Sequence, residues 1–246
     1  MSVAPHPVLR AWYRDEAGRR RRVDQMFDAA AGHYDWINRM MSLGSGRRYR
    51  RDALLRAGLA PGWRHLDVGT GTGVIALLAQ DIVGPAGEVV ALDPSPGMLD
   101  VARRAGVRTL VPGRAESLPF DDSRFDLLTM GYALRHVTDL LATFTEYRRV
   151  LRPGGKVLIL EVTRPRPSLG YHLLRFYLRT LVPLITRVLR RSRESQALMR
   201  YYWDTIEACV PPATILAALE AAGFEQVRRH VVLGIFSEYS GLRPKA

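Results

Sequence analysis

His65-Leu66-Asp67-Val68-Gly69-Thr70-Gly71-Thr72-Gly73, running on into Val74-Ile75-Ala76-Leu77-Leu78, decides how this chain folds. The first four residues read as a short buried strand, the glycines as a sharp turn, and Val74–Val83 as a helix. Glycine lets the backbone turn at the strand end and come close to a ligand, and the helix start directs free N–H groups toward it. Moving outward, strands are expected over residues 88–92, 108–111, 125–130 and 156–162. Helices are expected over 97–105 and 140–151, the second ended by Arg152-Pro153-Gly154-Gly155. Strands alternating with helices at short spacing predict a parallel sheet covered on both faces. A helix over 212–222 and strands over 227–234 and 235–239 would complete seven strands with an antiparallel hairpin at one edge. The fold class is α/β, a Rossmann-like seven-stranded sheet.

Two further segments flank this core. Residues 9–27 are basic, with Arg19 to Arg22 at the centre, expected as a solvated helix end rather than a phosphate site, and an apolar edge of Val23, Met26 and Phe27 at helical spacing. Residues 27–38 mix aromatic, Asp and Asn side chains, as a helical lid would, and a helix resumes over 47–58. Residues 164–200 hold nine arginines and a single acid, Glu194, around an apolar helical stripe broken at Pro183. The expected organisation is a lid over 1–58, a core over 59–163 and 212–246, and an arginine-rich helical insert over 164–211 forming a substrate cap.

The 246 residues include one cysteine, Cys209, which excludes an intramolecular disulfide and argues against a cysteine metal cluster; no His or acid grouping suggests a metal site. Neither a secretory leader nor an apolar run of 18 residues is visible, so a cytoplasmic chain is expected. The net charge is +12, and only Lys156 and Lys245 are lysines among 36 basic residues. That charge fits a polyanion, an acidic membrane surface or an anionic ligand, and equally a coding preference for arginine.

The loop spacing is Gly-x-Gly-x-Gly with an acid in front. An acid repels a pyrophosphate and attracts the ammonium of an amino acid, which favours S-adenosylmethionine over a dinucleotide. Asp93, about 20 residues after the loop, is placed to accept from a ribose diol. No Gly-Lys-Ser/Thr follows the glycines, so a nucleotide P-loop is excluded.

Residues 67–73, Asp93, residues 113–120, Phe125-Asp126 and Arg149-Val150-Leu151-Arg152-Pro153-Gly154-Gly155 resemble class I S-adenosylmethionine-dependent methyltransferases. Phe27-Asp28, Tyr34-Asp35, Asn38, Ser42-Leu43-Gly44, Leu134-Arg135-His136-Val137-Thr138-Asp139 and Leu160-Glu161-Val162 resemble the ubiquinone/menaquinone biosynthesis C-methyltransferase family, over roughly residues 23–240. The resemblance implies a cofactor site built from Tyr34, Asp67, Gly69, Thr70, Gly71, Gly73, Asp93, Pro94, Met98, Ala115, Glu116 and Met130. It implies methyl transfer to a ring carbon of a phenolic or quinol acceptor. Asn38, Arg47, Tyr132, Tyr202 and Trp203 are the candidate acceptor contacts. His136 is the first candidate for the base that deprotonates a ring hydroxyl, and Arg135 for stabilising the phenolate.

Four positions depart from that pattern. Arg114 stands where Asp or Asn usually meets the adenine, and an aspartate there is expected to tighten cofactor binding. His136 replaces a usual Asn, and Gly46 and Tyr49 replace a usual His and Trp, while Arg47 and Arg50 are retained. These changes suggest a quinone-like or secondary-metabolite acceptor. O- or N-methylation of a natural product, and a cofactor-retaining scaffold role, are the alternatives. The expected partner is a small lipophilic or aromatic molecule. A peripheral membrane contact and a homodimer are compatible with the sequence, and specific nucleic-acid binding is not expected.

Overall fold

The structure, a computed structural model, describes residues 3–41, 46–163, 175–177, 180 and 193–245, without the side chains of residues 16, 30, 33–41 and 193–195. Five strands run parallel: β1 (Arg64–Val68), β2 (Glu88–Asp93), β3 (Thr109–Pro112), β4 (Phe125–Gly131) and β5 (Leu151–Val162). A hairpin of β6 (Glu225–Val232) and β7 (Phe236–Leu242) adds two antiparallel strands. The order is β3-β2-β1-β4-β5-β7-β6. The chain thus winds outward from β1 in both directions. The loops after β1 and β4 diverge there and open a crevice at the carboxyl ends of the strands.

Alternation along each strand explains why both faces are covered. Val89, Ala91 and Leu127 pack with α2 (Gly46–Arg56) and α3 (Val74–Val83). Val90, Leu92 and Leu128 face the other way, into a core with α5 (Leu140–Val150) and α7 (Pro212–Ala221). Local chemistry sets the helix starts. Ser95 accepts from Met98 N at 3.1 Å ahead of α4 (Pro96–Ala105), and Pro96 supplies the first-turn geometry. Asp139 accepts from Leu141 N at the start of α5 and from Val3 N, which ties down the amino-terminal strap.

A third apolar cluster lies off the sheet. Tyr13, Val23 and Met26 pack against Leu198, Met199, Tyr201, Tyr202 and Trp203 of α6 (Arg193–Ala208). The expected apolar edge Val23-Met26-Phe27 is therefore the buried face of α1 (Glu16–Met41), one continuous helix. Two expectations are corrected. Arg19 is not solvated with its neighbours; it is buried and donates to the carbonyls of Arg135 and Val137 at 2.8 and 2.9 Å. Arg152-Pro153-Gly154-Gly155 does not separate α5 from the fifth strand. It forms a bulge inside β5, whose pairing shifts between Phe125 and Leu127, and Gly154 N and Gly155 O bond to Arg243. Most of the arginine-rich segment before α6 lies outside the described residues.

Candidate active site

The crevice holds two cavities that meet at Gly69. The larger, of about 320 Å³, is lined by Thr70, Gly71 and Thr72, by Tyr49 and Arg50 of α2, and by Tyr132, Tyr202 and Phe236. The smaller, of about 80 Å³, is lined by Pro94, Ala115, Glu116 and Met130, and by Arg19, Val23 and Asp24 of α1. Gly69 borders both. Its φ is +66°, and a Cβ there would stand 2.8 Å from the Cβ of Ala133, so only glycine fits between the two cavities without displacing Ala133.

Behind the glycine loop lies a buried polar chain. His65 Nε2 donates to Thr129 Oγ1 at 3.0 Å, Thr129 donates to Asp67 Oδ1 at 2.7 Å, and Thr70 Oγ1 donates to Asp67 Oδ2 at 2.6 Å. Burial without a charged partner holds His65 neutral, with a pKa pushed down to about 3. Burial raises Asp67 to about 6 against the hydroxyl bonds that favour its charge. Asp93 is also raised to about 6 by burial; it accepts from Gly71 N at 2.8 Å and from Ser95 N at 2.9 Å, joining the loops after β1 and β2.

Several expected site residues therefore support the cavities without lining either of them. Asp67 reaches the larger cavity only through Thr70, because both its oxygens are engaged beneath the loop. Asp93 is held between two loops. Gly73 is packed against Val107 and Ala102 at the start of α3, and Met98 is buried in α4. Gly69, Thr70, Gly71, Pro94, Ala115, Glu116 and Met130 do line the crevice. Of the expected acceptor contacts, Tyr132 and Tyr202 line the larger cavity. Arg47 points to solvent beyond the wall. Trp203 packs in the α1–α6 core, since adjacent residues on a helix face different directions. The side chains of Tyr34 and Asn38 lie outside the described residues.

The pairing of Arg135 with His136 is corrected. They belong to one 3₁₀ turn, Leu134–His136, and face different cavities, Arg135 the larger and His136 the smaller. Arg135 is buried, with Nε 3.0 Å from Glu161 Oε1 and Nη1 bonded to Thr205 Oγ1 at 2.8 Å and to Tyr202 O at 3.2 Å. Its charge is balanced by Glu161, and it anchors α6. Burial, with Arg135, Arg19 and His6 nearby, drives the His136 pKa well below its usual value. Such a histidine stays neutral and is a poor base.

Tyr49 and Arg50, which the sequence singled out as a departure and a retained residue but not as acceptor contacts, line the larger cavity, and so do Ile206, Val162 and Phe236, which sequence reasoning missed. Tyr49 packs on Phe236 with centroids 5.1 Å apart, and the Arg50 guanidinium carbon lies 4.8 Å from the Tyr132 ring centroid. Tyr132 has a φ of +60°, a strained conformation for a bulky residue, held by a bond from its N to Leu160 O at 2.7 Å. Arg114 lines the smaller cavity and pairs there with Asp24 of α1, 2.5 Å away.

The ubiE/COQ5 methyltransferase family model matches residues 15–243. The chain belongs to this family. The ubiquinone/menaquinone biosynthesis C-methyltransferase UbiE of Stutzerimonas stutzeri is 34% identical over 237 residues, 93% of this chain and 91% of that one. The protein of the same description from Saccharophagus degradans is 33% identical over 238 residues, 94% of each. Solved folds agree. A SAM-dependent methyltransferase of Thermotoga maritima superposes with a TM-score of 0.63 at 19% identity, over 89% of this chain and 98% of that one. Phosphoethanolamine N-methyltransferase 2 of Haemonchus contortus, solved with S-adenosyl-L-methionine, gives 0.56 at 18% identity, over 80% and 52%. The protein is a methyltransferase, and its cofactor is S-adenosylmethionine.

The residues of this family member fit that cofactor. α3 starts at Gly73 with no side-chain cap; in its first turn Ala76 N bonds Asp67 beneath the loop, and the helix N-terminus favours a carboxylate such as that of the cofactor's amino-acid end. Gly69 borders both cavities without a side chain between them, and Leu92, Pro94, Ala115 and Met130 supply apolar walls in the smaller one. Among the described residues no grouping of His, Cys, Asp and Glu could hold a metal, and no helix is long and apolar enough to cross a membrane.

Proposed function

We propose that the protein methylates a ring carbon of a hydroxylated aromatic acceptor of the quinol class. The carrying observation is the larger cavity: an aromatic-walled space of about 320 Å³ that opens directly on the glycine loop. The UbiE proteins it resembles support carbon as the methylated atom. When bound, the cofactor supplies an electrophilic methyl group on a sulfonium. The chain's task is to hold an electron-rich ring in line with it, and alignment alone can account for much of the rate.

Tyr132, Tyr202 and Phe236 offer ring faces that fix the acceptor plane, and Tyr202 and Ile206 bring α6 over it as the cap. Arg48 and Arg50 line the same wall, where positive charge favours the phenolate over the phenol. Asp52 is the carboxylate among the described wall residues and is partly open to water, so it is positioned to receive the hydroxyl proton. His136 and Arg135 act from behind, as positioning residues. Arg114, Ala115 and Glu116 belong to the adenosine side. Tyr49, which departs from the family pattern, sits on the acceptor wall, and this supports a ring that differs from the respiratory quinones.

The test incubates the protein with methyl-labelled S-adenosylmethionine and a short-chain prenylated quinol lacking one ring methyl group. Mass spectrometry and NMR then locate the label. A new carbon-bound methyl is the expected result. An oxygen- or nitrogen-bound methyl, or none in a protein that binds S-adenosylhomocysteine, overturns the proposal. Asp52→Asn should shift the pH profile of kcat/KM to higher pH; an unchanged profile would remove Asp52 from the proton's path.

A further inference from the structure

The turn joining β6 to β7 combines features that structure alone does not require. Ile235 N donates to Val232 O at 3.3 Å, closing a two-residue turn with φ of +54° at Leu233 and +71° at Gly234. Two positive φ values make this a hairpin turn whose first central position favours Asn, Asp or Gly. Leucine is strained there, and Leu233 is also 81% exposed. It is not remote from the site: Val232, Leu233, Ile235 and Phe236 all line the larger cavity, so Leu233 stands at its mouth. Val231, on the adjoining strand, is a second exposed aliphatic residue.

The other wall of that mouth is α2, Gly-Arg-Arg-Tyr-Arg-Arg-Asp-Ala-Leu-Leu-Arg. Arg48 and Arg50 line the cavity, and Arg47 and Arg51 are exposed on the same helix. Asp52 offsets little of this charge, because its contact with Arg48 is 4.0 Å long and Arg48 is 91% exposed. Arg56 is spent on Glu238, 2.5 Å away. An apolar tip and an arginine helix thus share the rim of one apolar cavity, a combination suited to a surface with acyl chains below and phosphates above.

We propose that the mouth of the larger cavity docks on an anionic phospholipid bilayer, with Leu233 inserted among the acyl chains and the α2 arginines at the phosphate level. An acceptor carrying an isoprenoid tail would then reach the cavity from the bilayer without crossing water. This last step rests on the proposed acceptor class; the docking itself does not.

Sedimentation with vesicles tests it in the absence of cofactor and acceptor, which keeps the result separate from the methyl-transfer assay. Vesicles of phosphatidylcholine alone are compared with vesicles containing one quarter phosphatidylglycerol. The protein should favour the anionic vesicles, and its binding should weaken with salt. Leu233→Asn should lower the partition about tenfold, as loss of one buried leucine implies, while its thermal midpoint holds or rises because Asn suits the turn. Replacing Arg47 and Arg51 together by Gln should lower it roughly 30-fold. Equal partition of wild type and Leu233→Asn overturns the proposal, as does absence of vesicle binding. Heparin binding that matches vesicle binding and ignores Leu233 would make the rim a general polyanion site. Self-association lost with Leu233→Asn would make the face a dimer contact; either result also overturns the proposal. Vesicle binding without turnover would fault the acceptor assignment alone.

Discussion

His65 occupies the first position of a buried relay, His65 to Thr129 to Asp67 to Thr70, and its neutrality has a measurable consequence. In the unfolded chain a histidine titrates near its usual value of 6.5, whereas His65 stays neutral to about 3. Below 6.5 the unfolded state therefore binds the proton that the folded state refuses. The stability contributed is complete above pH 6.5 and is lost as pH falls, by about 2 kcal/mol at pH 5. His65→Gln keeps a donor for Thr129 and removes the titration. Its urea midpoint should fall less between pH 7 and pH 5 than that of the wild type. Arg114 makes a second residue-scale case. The departure at position 114 suggested that an aspartate would tighten cofactor binding, but the observed partner, Asp24, reverses that expectation. Arg114→Asp sets two carboxylates against each other and should weaken S-adenosylhomocysteine binding more than Arg114→Ala. Adding Asp24→Arg should restore it, and calorimetry of the four proteins measures the coupling.

At the scale of elements, one buried ion pair ties α6 to the sheet. Arg135 from the turn after β4 meets Glu161 at the end of β5 and also binds Thr205 and the Tyr202 carbonyl of α6. Arg135→Met leaves the Glu161 carboxylate buried without its cation, a loss of about 3–5 kcal/mol. Equilibrium urea unfolding should show it, and the double change Arg135→Met with Glu161→Leu should recover much of it. This clamp was invisible in the chain, because residues 135, 161 and 205 are distant in sequence and each has an ordinary surface explanation. The elements themselves were legible. β1, α3, β2 and α4 were read within one residue at each end, since Asp93, Pro96 and Gly106 punctuate short periodic runs. The bulge in β5 was not, because Arg-Pro-Gly-Gly carries the usual signal of a break and only pairing across to Arg243 keeps it in the sheet.

For the whole molecule, the crevice depends on one backbone passage. Gly69→Ala would press a methyl group on Ala133 where the two cavities meet. Wild type should gain about 2.7 kcal/mol of stability in S-adenosylhomocysteine at a hundred times its dissociation constant. The Gly69→Ala protein should show little thermal shift under the same conditions. The glycine loop and the order of strands were readable because they follow from local pattern. The division of labour between Arg135 and His136 was not, because neighbours on a tight turn point to opposite sides. Nor was the burial of Arg19, which stands among four arginines and alone faces inward.

The same helix that buries Arg19 touches both halves of the crevice. α1 lines the smaller cavity through Arg19, Val23 and Asp24, and Phe27 meets Tyr202 of the larger cavity's wall with ring centroids 6.1 Å apart. Asp28 accepts from Gly97 N at 3.1 Å, beside the loop that holds Asp93. If a ligand in one cavity changes affinity at the other by moving α1, thermodynamic reciprocity requires the second ligand to change the affinity of the first by the same factor. Donor and acceptor thus share one helix as a balance beam, and each weighs on the other through the protein as well as where they meet.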